Sequence, residues 1–353
     1  MHFSTAEGDF MQEISRPQNH REIMEFYYHL IAGGVRLRLL ESVIDFNLPE
    51  LIGESTLTEA EIIEKLELSP QRAKKWLYLL TTERFLTLCE MKEQNTNGYC
   101  LGPVLKVLCD NVDKWWFFKQ MDYSWRSVAY ENTNAILQGA PITYDVNWPP
   151  STPEDSLLLE EWMHRTALTA ITILQKYFPR TKPKTLLDVG GGDSTIACYF
   201  AHKYPDLHFT IYNLPEAIKL ATQRISKEKL EDRIHLVTGN FLEDESFPLG
   251  FDIVLFSRVL CDWPEDVCQK LLTMAYNALN EGGTLIICEP FKELNQDFLL
   301  VWEFRYMFWD NFGKAVFKES TLYQRMLTEI GFKDFEFSPV DDEGIYRVLK
   351  AKK

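Results

Sequence analysis

A run of three glycines is the feature of this sequence that most clearly indicates a ligand site. Asp188-Val189-Gly190-Gly191-Gly192 ends an apolar run and precedes a helical pattern. Glycines let the backbone approach a ligand closely, and the N-terminus of the next helix offers free N–H groups. The loop is neither G-x-G-x-x-G nor a P-loop, so it favours neither a dinucleotide nor a triphosphate. We predict a different ligand here, with a simple tight turn as the alternative.

A second polar position follows at the distance where such domains bind a ribose. In these domains an acidic residue about 20 positions after the glycines accepts hydrogen bonds from the ribose hydroxyls. Asn213 occupies that position here, within Ile211-Tyr212-Asn213-Leu214-Pro215. An amide oxygen accepts a hydrogen bond without the added strength of a charged acceptor. We therefore expect a ribose contact of modest strength.

Strand and helix patterns alternate from Lys182 onward and would position both sites. Five apolar runs typical of a buried parallel sheet are predicted as strands: Thr185–Val189, His208–Tyr212, Ile234–Thr238, Phe251–Phe256 and Thr284–Cys288. Two further strands, Lys333–Phe337 and Ile345–Leu349, flank a turn-rich segment and predict a hairpin at the sheet edge. The pattern predicts a doubly wound α/β domain with seven strands.

The N-terminal part has the outline of a winged helix. A capping-box pattern at Thr58–Glu61 and the pair Ser69-Pro70 start two short helices, and a small β-ribbon follows. DNA binding would need more basic groups than the second helix offers with Arg72, Lys74 and Lys75. A role in structure or dimerisation is therefore expected. Residues 105–180 look helical and aromatic, as a core or as the wall of a pocket for a flat ligand.

Composition restricts the function further. The 353 residues carry 37 Lys plus Arg against 52 Asp plus Glu, a net charge of −15 that disfavours nucleic acid and anionic membranes as partners. The sequence lacks a signal peptide pattern and a long apolar run, so a cytoplasmic location is expected. Seven cysteines without a C-x-x-C pair indicate neither a disulfide framework nor a zinc site. No other metal is indicated.

Several motifs together resemble a known family. These are the glycine loop, Asn213-Leu214-Pro215, Gly239-Asn240-Phe241, the segment Ser257–Trp263 and Gly282-Gly283-Thr284. They resemble the class I S-adenosylmethionine-dependent small-molecule O-methyltransferases, which include the caffeate, acetylserotonin and bacterial tailoring enzymes. The resemblance extends over nearly the whole chain. It implies a winged-helix-like dimerisation domain over 1–105, a connecting and pocket region over 106–180, and a Rossmann-like catalytic domain over 181–353, assembled as a homodimer.

The resemblance also implies residue roles. S-adenosylmethionine would be the cofactor, held by Asp188, Gly190, Gly192, Asn213, Leu214, Asn240, Phe241, Ser257 and Arg258. The family usually has aspartate at positions 213 and 240, where this chain has asparagine. Each asparagine keeps an acceptor of the same shape, so we expect the cofactor to bind.

The base expected from the resemblance is missing. The family keeps a catalytic histidine in an H-D-W motif, and this chain reads Cys261-Asp262-Trp263. A supporting glutamate would fall near Lys314 and is also absent. Cys261, with Asp262 beside it, could act as a base if its pKa were lowered by Arg258, or could simply be a small apolar residue. His164 is the other candidate, with a surface or structural role as its alternative.

The acceptor implied by these residues is flat and largely apolar. Its pocket would be lined by Trp116, Met163, Trp263, Phe308, Trp309 and Phe312. The first hypothesis is methyl transfer to a hydroxyl of a small aromatic metabolite, with positioning as the main catalytic effect. Alternatives are a C- or N-methyltransferase, since the family includes a bacteriochlorophyll C-methyltransferase that also lacks H-D-W, and a member repurposed for other chemistry or for binding. A ligand-sensing transcription factor comes last.

Overall fold

A computed structural model gives the structure of this chain. It describes residues 19–91, 96–120, 133–140, 152–179, 183–294, 296–309, 317–341 and 344–353, without the side chains of 155, 296 and 305–309. The chain divides into two compact units, Met1–Asp122 and Tyr123–Lys353. The predicted three-part division stays a prediction. In the structure, the start of the predicted connecting region belongs to the first unit and its later helices belong to the second.

The first unit consists of helices around a two-stranded ribbon. Its elements are α1 (His20–Asp45), α2 (Leu48–Ile52), α3 (Glu59–Lys65), α4 (Pro70–Thr82), β1 (Leu86–Met91), β2 (Thr96–Leu101), α5 (Pro103–Leu108) and α6 (112–120). The capping box forms as predicted, because Thr58 Oγ1 accepts from the Glu61 N–H at 3.2 Å and Glu61 accepts from the Thr58 N–H at 2.7 Å. Leu77, Leu80 and Leu86 are among the fully buried residues of its core.

A disulfide joins the two strands of the ribbon. It links Cys89 to Cys100, whose Cα atoms are 6.2 Å apart. Cys89 faces Gly98 across the ladder and Cys100 faces Thr87, so the two cysteines are diagonal neighbours on antiparallel strands. The prediction of no disulfide was wrong. The spacing gives no sign of the bond, because only the strand register brings the two side chains together.

The second unit is built on a seven-stranded sheet. Its elements are α7 (Thr133–Leu137), α8 (Pro153–Arg165), α9 (Ala167–Tyr177), β3 (Thr185–Val189), α10 (Thr195–Lys203), β4 (His208–Asn213), α11 (Pro215–Glu228), β5 (Ile234–Thr238), β6 (Phe251–Ser257), α12 (Glu265–Ala278), β7 (Leu279–Glu289), α13 (Gln296–Trp309), α14 (Ser320–Ile330), β8 (Lys333–Phe337) and β9 (Arg347–Lys352). A 3-10 turn, Leu260–Asp262, follows β6.

The strand order confirms the predicted doubly wound α/β fold. The order is β5-β4-β3-β6-β7-β9-β8, with β3 to β7 parallel and β9 and β8 antiparallel at one edge. Alternate residues of β3 enter different cores: Leu187 and Val189 pack on one face of the sheet and Leu186 on the other. Helices α12 and α14 cover the first face, and α9, α10 and α11 cover the second.

The strand order of the sheet predicts where a ligand binds. The chain runs outward from β3 to β4 and β5, then returns to β6 on the other side of β3. A crevice opens at such a reversal, beyond the carboxyl ends of the strands. The glycine loop follows β3 directly, so the topology places it at this crevice. No helix in the described ranges is long and apolar enough to cross a membrane.

Candidate active site

A cavity of about 440 Å³ lies at the carboxyl edge of the sheet. Loops after β3, β4, β5 and β6 line it, together with α8. The lining includes every predicted cofactor-contacting residue: Asp188, Gly190, Gly192, Asn213, Leu214, Asn240, Phe241, Ser257 and Arg258. The fold therefore brings together residues spread over 71 positions of the sequence because the strands that precede them are neighbours in one sheet.

The glycine loop is shaped by positions that tolerate no side chain. Gly190 has φ +73° and Gly192 has φ +56°, in the left-handed region that favours glycine. A Cβ atom on Gly190 would lie 2.8 Å from Val259 Cγ2, and one on Gly192 would lie 2.6 Å from Glu160 Oε2. The loop therefore passes close to both the β6 loop and α8.

The two asparagines at the cavity use their amide oxygens to hold their own loops. Asn213 Oδ1 accepts from the Leu214 N–H at 2.8 Å, and Asn240 Oδ1 accepts from the Leu242 N–H at 3.1 Å. An amide oxygen has two lone pairs, so each can accept a second hydrogen bond from a ligand. Both side chains stay available to the cavity that they line.

Arg258 ties the β6 loop to α8. Its backbone has φ +60°, and its guanidinium donates to Thr166 Oγ1 at 2.7 Å and to the Met163 carbonyl at 2.9 Å. This fixes the end of α8 beside the cavity. Next to it, Ser257 Oγ is buried and has no hydrogen-bond partner within the described ranges, and the same holds for Asp188 Oδ2 on the neighbouring strand.

Cys261 does not line the cavity. It lies in the 3-10 turn after β6, is 6% exposed and packs against Leu299 and Phe317. Burial, together with the charges of Asp262 and Glu289, raises the pKa of its thiol well above the ordinary value. A thiol in this position stays protonated at neutral pH. Asp262 does line the cavity.

Glu289 is a buried carboxylate that the sequence reasoning missed. It ends β7, and its Oε1 accepts from the backbone N–H groups of Val259 and Leu260 at 2.8 and 3.0 Å. Burial raises the pKa of this carboxyl to about 7. The available signal was a glutamate directly after the apolar run Leu285–Cys288, at the carboxyl end of a central strand. Its hydrogen bonds hold the turn that carries Cys261.

His164 is not among the described lining residues, but it belongs to a charged network that reaches the cavity through Thr195 and Asp193. Its Nδ1 is 2.8 Å from Thr195 Oγ1 and 3.1 Å from Arg224 Nη2. Arg224 also donates to Asp193 at 2.8 Å. This network joins α8 to α10 and α11. The geometry gives His164 contacts typical of a structural residue.

The structure describes the side chains of only some of the residues predicted to contact the acceptor. Met163 and Trp263 line the cavity, and the ring of Trp263 meets that of Phe241 edge to face, with centroids 5.4 Å apart. Trp116 belongs to the first unit. Phe308 and Trp309 lie in α13, but the structure does not describe their side chains, so their predicted contacts with the acceptor stay predictions. Phe312 lies outside the described residues.

A family model described as an O-methyltransferase domain matches residues 149–333, which include the glycine loop and all of the cavity lining. The chain belongs to this family. It is an S-adenosylmethionine-dependent methyltransferase. Both statements confirm what the motifs predicted.

Two curated relatives align with most of this methyltransferase. The bacteriochlorophyllide d C-20 methyltransferase of Chlorobaculum tepidum is 26% identical over 87% of this chain and 93% of its own length. The L-tyrosine C(3)-methyltransferase of Streptomyces lavendulae is 27% identical over 91% of this chain and 90% of its own length.

Solved structures share the fold. A crystal structure of the S-adenosylmethionine-dependent methyltransferase SibL in its apo form superimposes with a TM-score of 0.75 at 22% identity, covering 92% of this chain and 97% of SibL. Human N-acetylserotonin methyltransferase in complex with S-adenosylmethionine gives a TM-score of 0.66 at 18% identity, covering 95% and 98%. At identities of 22% and 18%, this structural similarity shows only that the proteins share a fold.

The residues of the cavity fit the cofactor. S-adenosylmethionine carries a cationic sulfonium and an amino-acid end with its own ammonium, and two buried carboxylates, Asp188 and Glu160, line the cavity. Asp188 Oδ2 and Ser257 Oγ have no hydrogen-bond partner among the described residues, so they are polar atoms that a ligand could satisfy. Asn213 and Asn240 add neutral acceptors to the lining. The lining therefore contains charged and hydrogen-bonding groups of the kinds that this cofactor can bind.

Proposed function

We propose that this methyltransferase methylates a hydroxyl group of a small, flat, aromatic metabolite. The observation that carries the proposal is the cavity itself, since one continuous lining contains the glycine loop and two of the predicted acceptor residues, Met163 and Trp263. Aromatic faces suit a planar apolar ligand. A cofactor end and an aromatic end in the same cavity support methyl transfer to such a ligand.

Positioning would be the main contribution of the protein. The cofactor supplies a methyl group bonded to a positively charged sulfur, which is an electrophile. The glycine loop and Arg258 fix the geometry of the cofactor end, and Met163 and Trp263 would orient the acceptor and exclude water. Holding two reactants in line contributes up to several kcal/mol to the lowering of a barrier. When the acceptor reacts as its anion, the positive charge of the sulfonium and the negative charge of the acceptor both disappear in the transfer.

Cys261 would serve this reaction as an apolar residue. Its raised pKa and its packing against Leu299 and Phe317 oppose a role as base. We propose that no protein base takes the proton of the acceptor hydroxyl. Either the hydroxyl is acidic enough to lose this proton to water before the transfer, or it is aligned well enough to react and release the proton to water as the methyl is transferred. His164 is held by Thr195 and Arg224, which also opposes the basic role considered for it.

The variant Cys261→Ala tests this directly. We expect its kcat to stay within about threefold of wild type, because general base catalysis contributes roughly 10²-fold or more and would be lost if the thiol supplied it. The measurement is steady-state release of S-adenosylhomocysteine. Cys268→Ala is a matched control, since Cys268 is also buried in the same segment of chain. A loss of 10²-fold in Cys261→Ala alone would assign the base to Cys261.

Methyl transfer to carbon is the second candidate function. Two relatives that align over 87% and 91% of this chain are both C-methyltransferases by name. A ring carbon next to a hydroxyl is a nucleophile in the same flat acceptor class. An N-methyltransferase, or a member that binds without turnover, is supported by no comparable observation.

One experiment separates these functions. The purified full chain is first titrated calorimetrically with S-adenosylmethionine and S-adenosylhomocysteine, and micromolar binding is expected. It is then incubated with phenolic acceptors and cofactor bearing a ¹³C-methyl group. The ¹³C chemical shift of the product distinguishes a methyl on oxygen from one on carbon. Absence of cofactor binding contradicts the proposed function, and binding without turnover on any acceptor favours the repurposed alternative.

We also propose that the protein forms a homodimer through α1. Large apolar side chains of this helix are exposed, and they share one surface at helical spacing: Ile23, Tyr27, Leu30, Ile31 and Val35. Exposed apolar patches of this kind typically mark interaction surfaces. A second copy of the same chain would cover them, in keeping with the resemblance of this part to a dimerisation domain.

The variant Leu30→Glu should be a monomer at micromolar concentration, since a carboxylate in the middle of this surface would be buried without a partner in the dimer. Sedimentation velocity gives the mass. Leu249→Glu is the control, because Leu249 is 70% exposed and lies far along the chain in the second unit. A wild-type monomer, or a Leu30→Glu dimer, contradicts the proposal.

A further inference from the structure

We propose that Glu160, on α8, accepts a hydrogen bond from the ammonium group at the amino-acid end of S-adenosylmethionine. The inference rests on the function proposed above, and it adds a residue outside the glycine loop and outside the sheet. It gives a reason for the close contact between α8 and that loop.

Glu160 is buried and lies against the glycine loop. It is 9% exposed and lines the cavity, and its Oε2 accepts from the Asp193 N–H at 2.9 Å. The same oxygen would lie 2.6 Å from a Cβ atom on Gly192, so only glycine permits this approach. Within the described residues, Glu160 Oε1 accepts no hydrogen bond. One oxygen of the carboxylate therefore holds the loop, and the other remains for a ligand.

A second carboxylate lies against the adjacent glycine. Asp188 is 1% exposed and lines the same cavity, and its buried Oδ2 has no hydrogen-bond partner in the part of the chain that the structure describes. This oxygen would lie 2.7 Å from a Cβ atom on Gly191. Glu160 and Asp188 thus approach the loop at successive residues, one from a helix and one from a strand. A buried oxygen without a partner indicates that a ligand completes the site.

The surrounding charges favour a cation at this point. Asp193 also faces Glu160, but it is paired with Arg224 at 2.8 Å. Arg258 attracts both carboxylates but is directed to Thr166 and the Met163 carbonyl. Burial raises the pKa values of Glu160 and Asp188 to about 7 each, which is the expected result for acids that lack a counter-ion in the free protein.

An ammonium group suits this position better than the sulfonium of the same cofactor. An ammonium has three N–H donors, whereas a sulfonium has none. Only a donor can form a hydrogen bond with Glu160 Oε1. The carboxylate end of the cofactor would be repelled here, so the two acidic groups also set the direction in which the amino-acid end lies.

The test combines a change of one residue, Glu160, with the removal of one chemical group, the amino group, from the ligand. S-adenosylhomocysteine and its analogue with hydrogen in place of the amino group are titrated into wild type and Glu160→Gln, which keeps an acceptor for the Asp193 N–H. Charge-assisted hydrogen bonds are worth about 1.5–3 kcal/mol, so wild type should prefer the amino ligand by about tenfold or more, and Glu160→Gln should lose most of that preference. Glu161→Gln is the matched control, since Glu161 pairs with Arg165 at 3.1 Å. It should retain the full preference.

The results of these titrations distinguish a ligand contact of Glu160 from a structural role. If Glu160→Gln weakens both ligands equally, or neither, Glu160 has a structural role and the inference is wrong. If Glu160→Gln does not fold, as judged by circular dichroism, Glu160→Asp carries the same comparison with an intermediate preference expected. If wild type binds neither ligand, the proposed function fails as well. If wild type binds both ligands equally, the proposed contact with the ammonium group is wrong, but the proposed function is not contradicted.

Discussion

The variant Gly190→Ala is expected to lose affinity for S-adenosylmethionine by about a hundredfold or more. Gly190 has φ +73°, and an added Cβ would lie 2.8 Å from Val259 Cγ2. Two costs add: a side chain in the left-handed region is destabilising by about 1 kcal/mol, and the steric overlap must be relieved by moving either the loop or Val259. Both belong to the cavity lining, so either movement distorts the site.

Gly282→Ala separates the two costs. Gly282 has φ +74°, almost the same backbone conformation, but a Cβ there would meet nothing within 4 Å. It should lower the melting temperature by a few degrees while keeping wild-type affinity. Calorimetric titration with S-adenosylhomocysteine and thermal unfolding measure both effects. Equal affinity loss in both variants would show that backbone strain, rather than overlap with Val259, controls the site.

The cofactor-free protein is expected to become less stable as the pH rises from 5 to 8. The pKa values of Asp188, Glu160 and Glu289 are raised to about 7, above the ordinary values of 3.8 for aspartate and 4.5 for glutamate. Between the ordinary and the raised pKa, the folded state binds more protons than the unfolded state, so stability falls as pH increases. Three such groups should lower the melting temperature by at least about 5 °C between pH 5 and pH 8.

Asp188→Asn tests the origin of this slope. Removing the buried charge should raise the melting temperature of the cofactor-free protein at pH 8 and flatten its pH dependence, while weakening S-adenosylmethionine binding. Asp252→Asn is a control for which the opposite change in melting temperature is expected. Burial raises the pKa of Asp252, but hydrogen bonds from the Lys184 and Thr185 N–H groups and from Asn280 together outweigh burial and lower this pKa, so the charge stabilises the folded state at pH 8. That variant should melt earlier. A lower melting temperature for Asp188→Asn at pH 8 would contradict the prediction.

The main elements of the sheet domain followed from the sequence. The predicted Thr185–Val189, Ile234–Thr238 and Lys333–Phe337 are strands with those bounds. Strand β7 is longer than predicted and begins at Leu279, because it continues through Gly282 and Gly283, which local propensity assigns to a turn. The final strand is Arg347–Lys352 rather than Ile345–Leu349, since pairing with β7 sets its bounds.

What the sequence by itself determined is the local chemistry: the glycine loop after β3, the asparagine that ends β4, the asparagine after β5, and the absence of histidine at position 261. These depend on residue type and on position relative to a strand, and both can be read along the chain. Tertiary structure alone decided which groups meet. Burial of Cys261 in a turn held by Glu289, the approach of Glu160 to Gly192 and the Cys89–Cys100 disulfide each join residues from different elements. Such contacts depend on strand order, register and helix packing, because these set distances and desolvation that no local pattern contains.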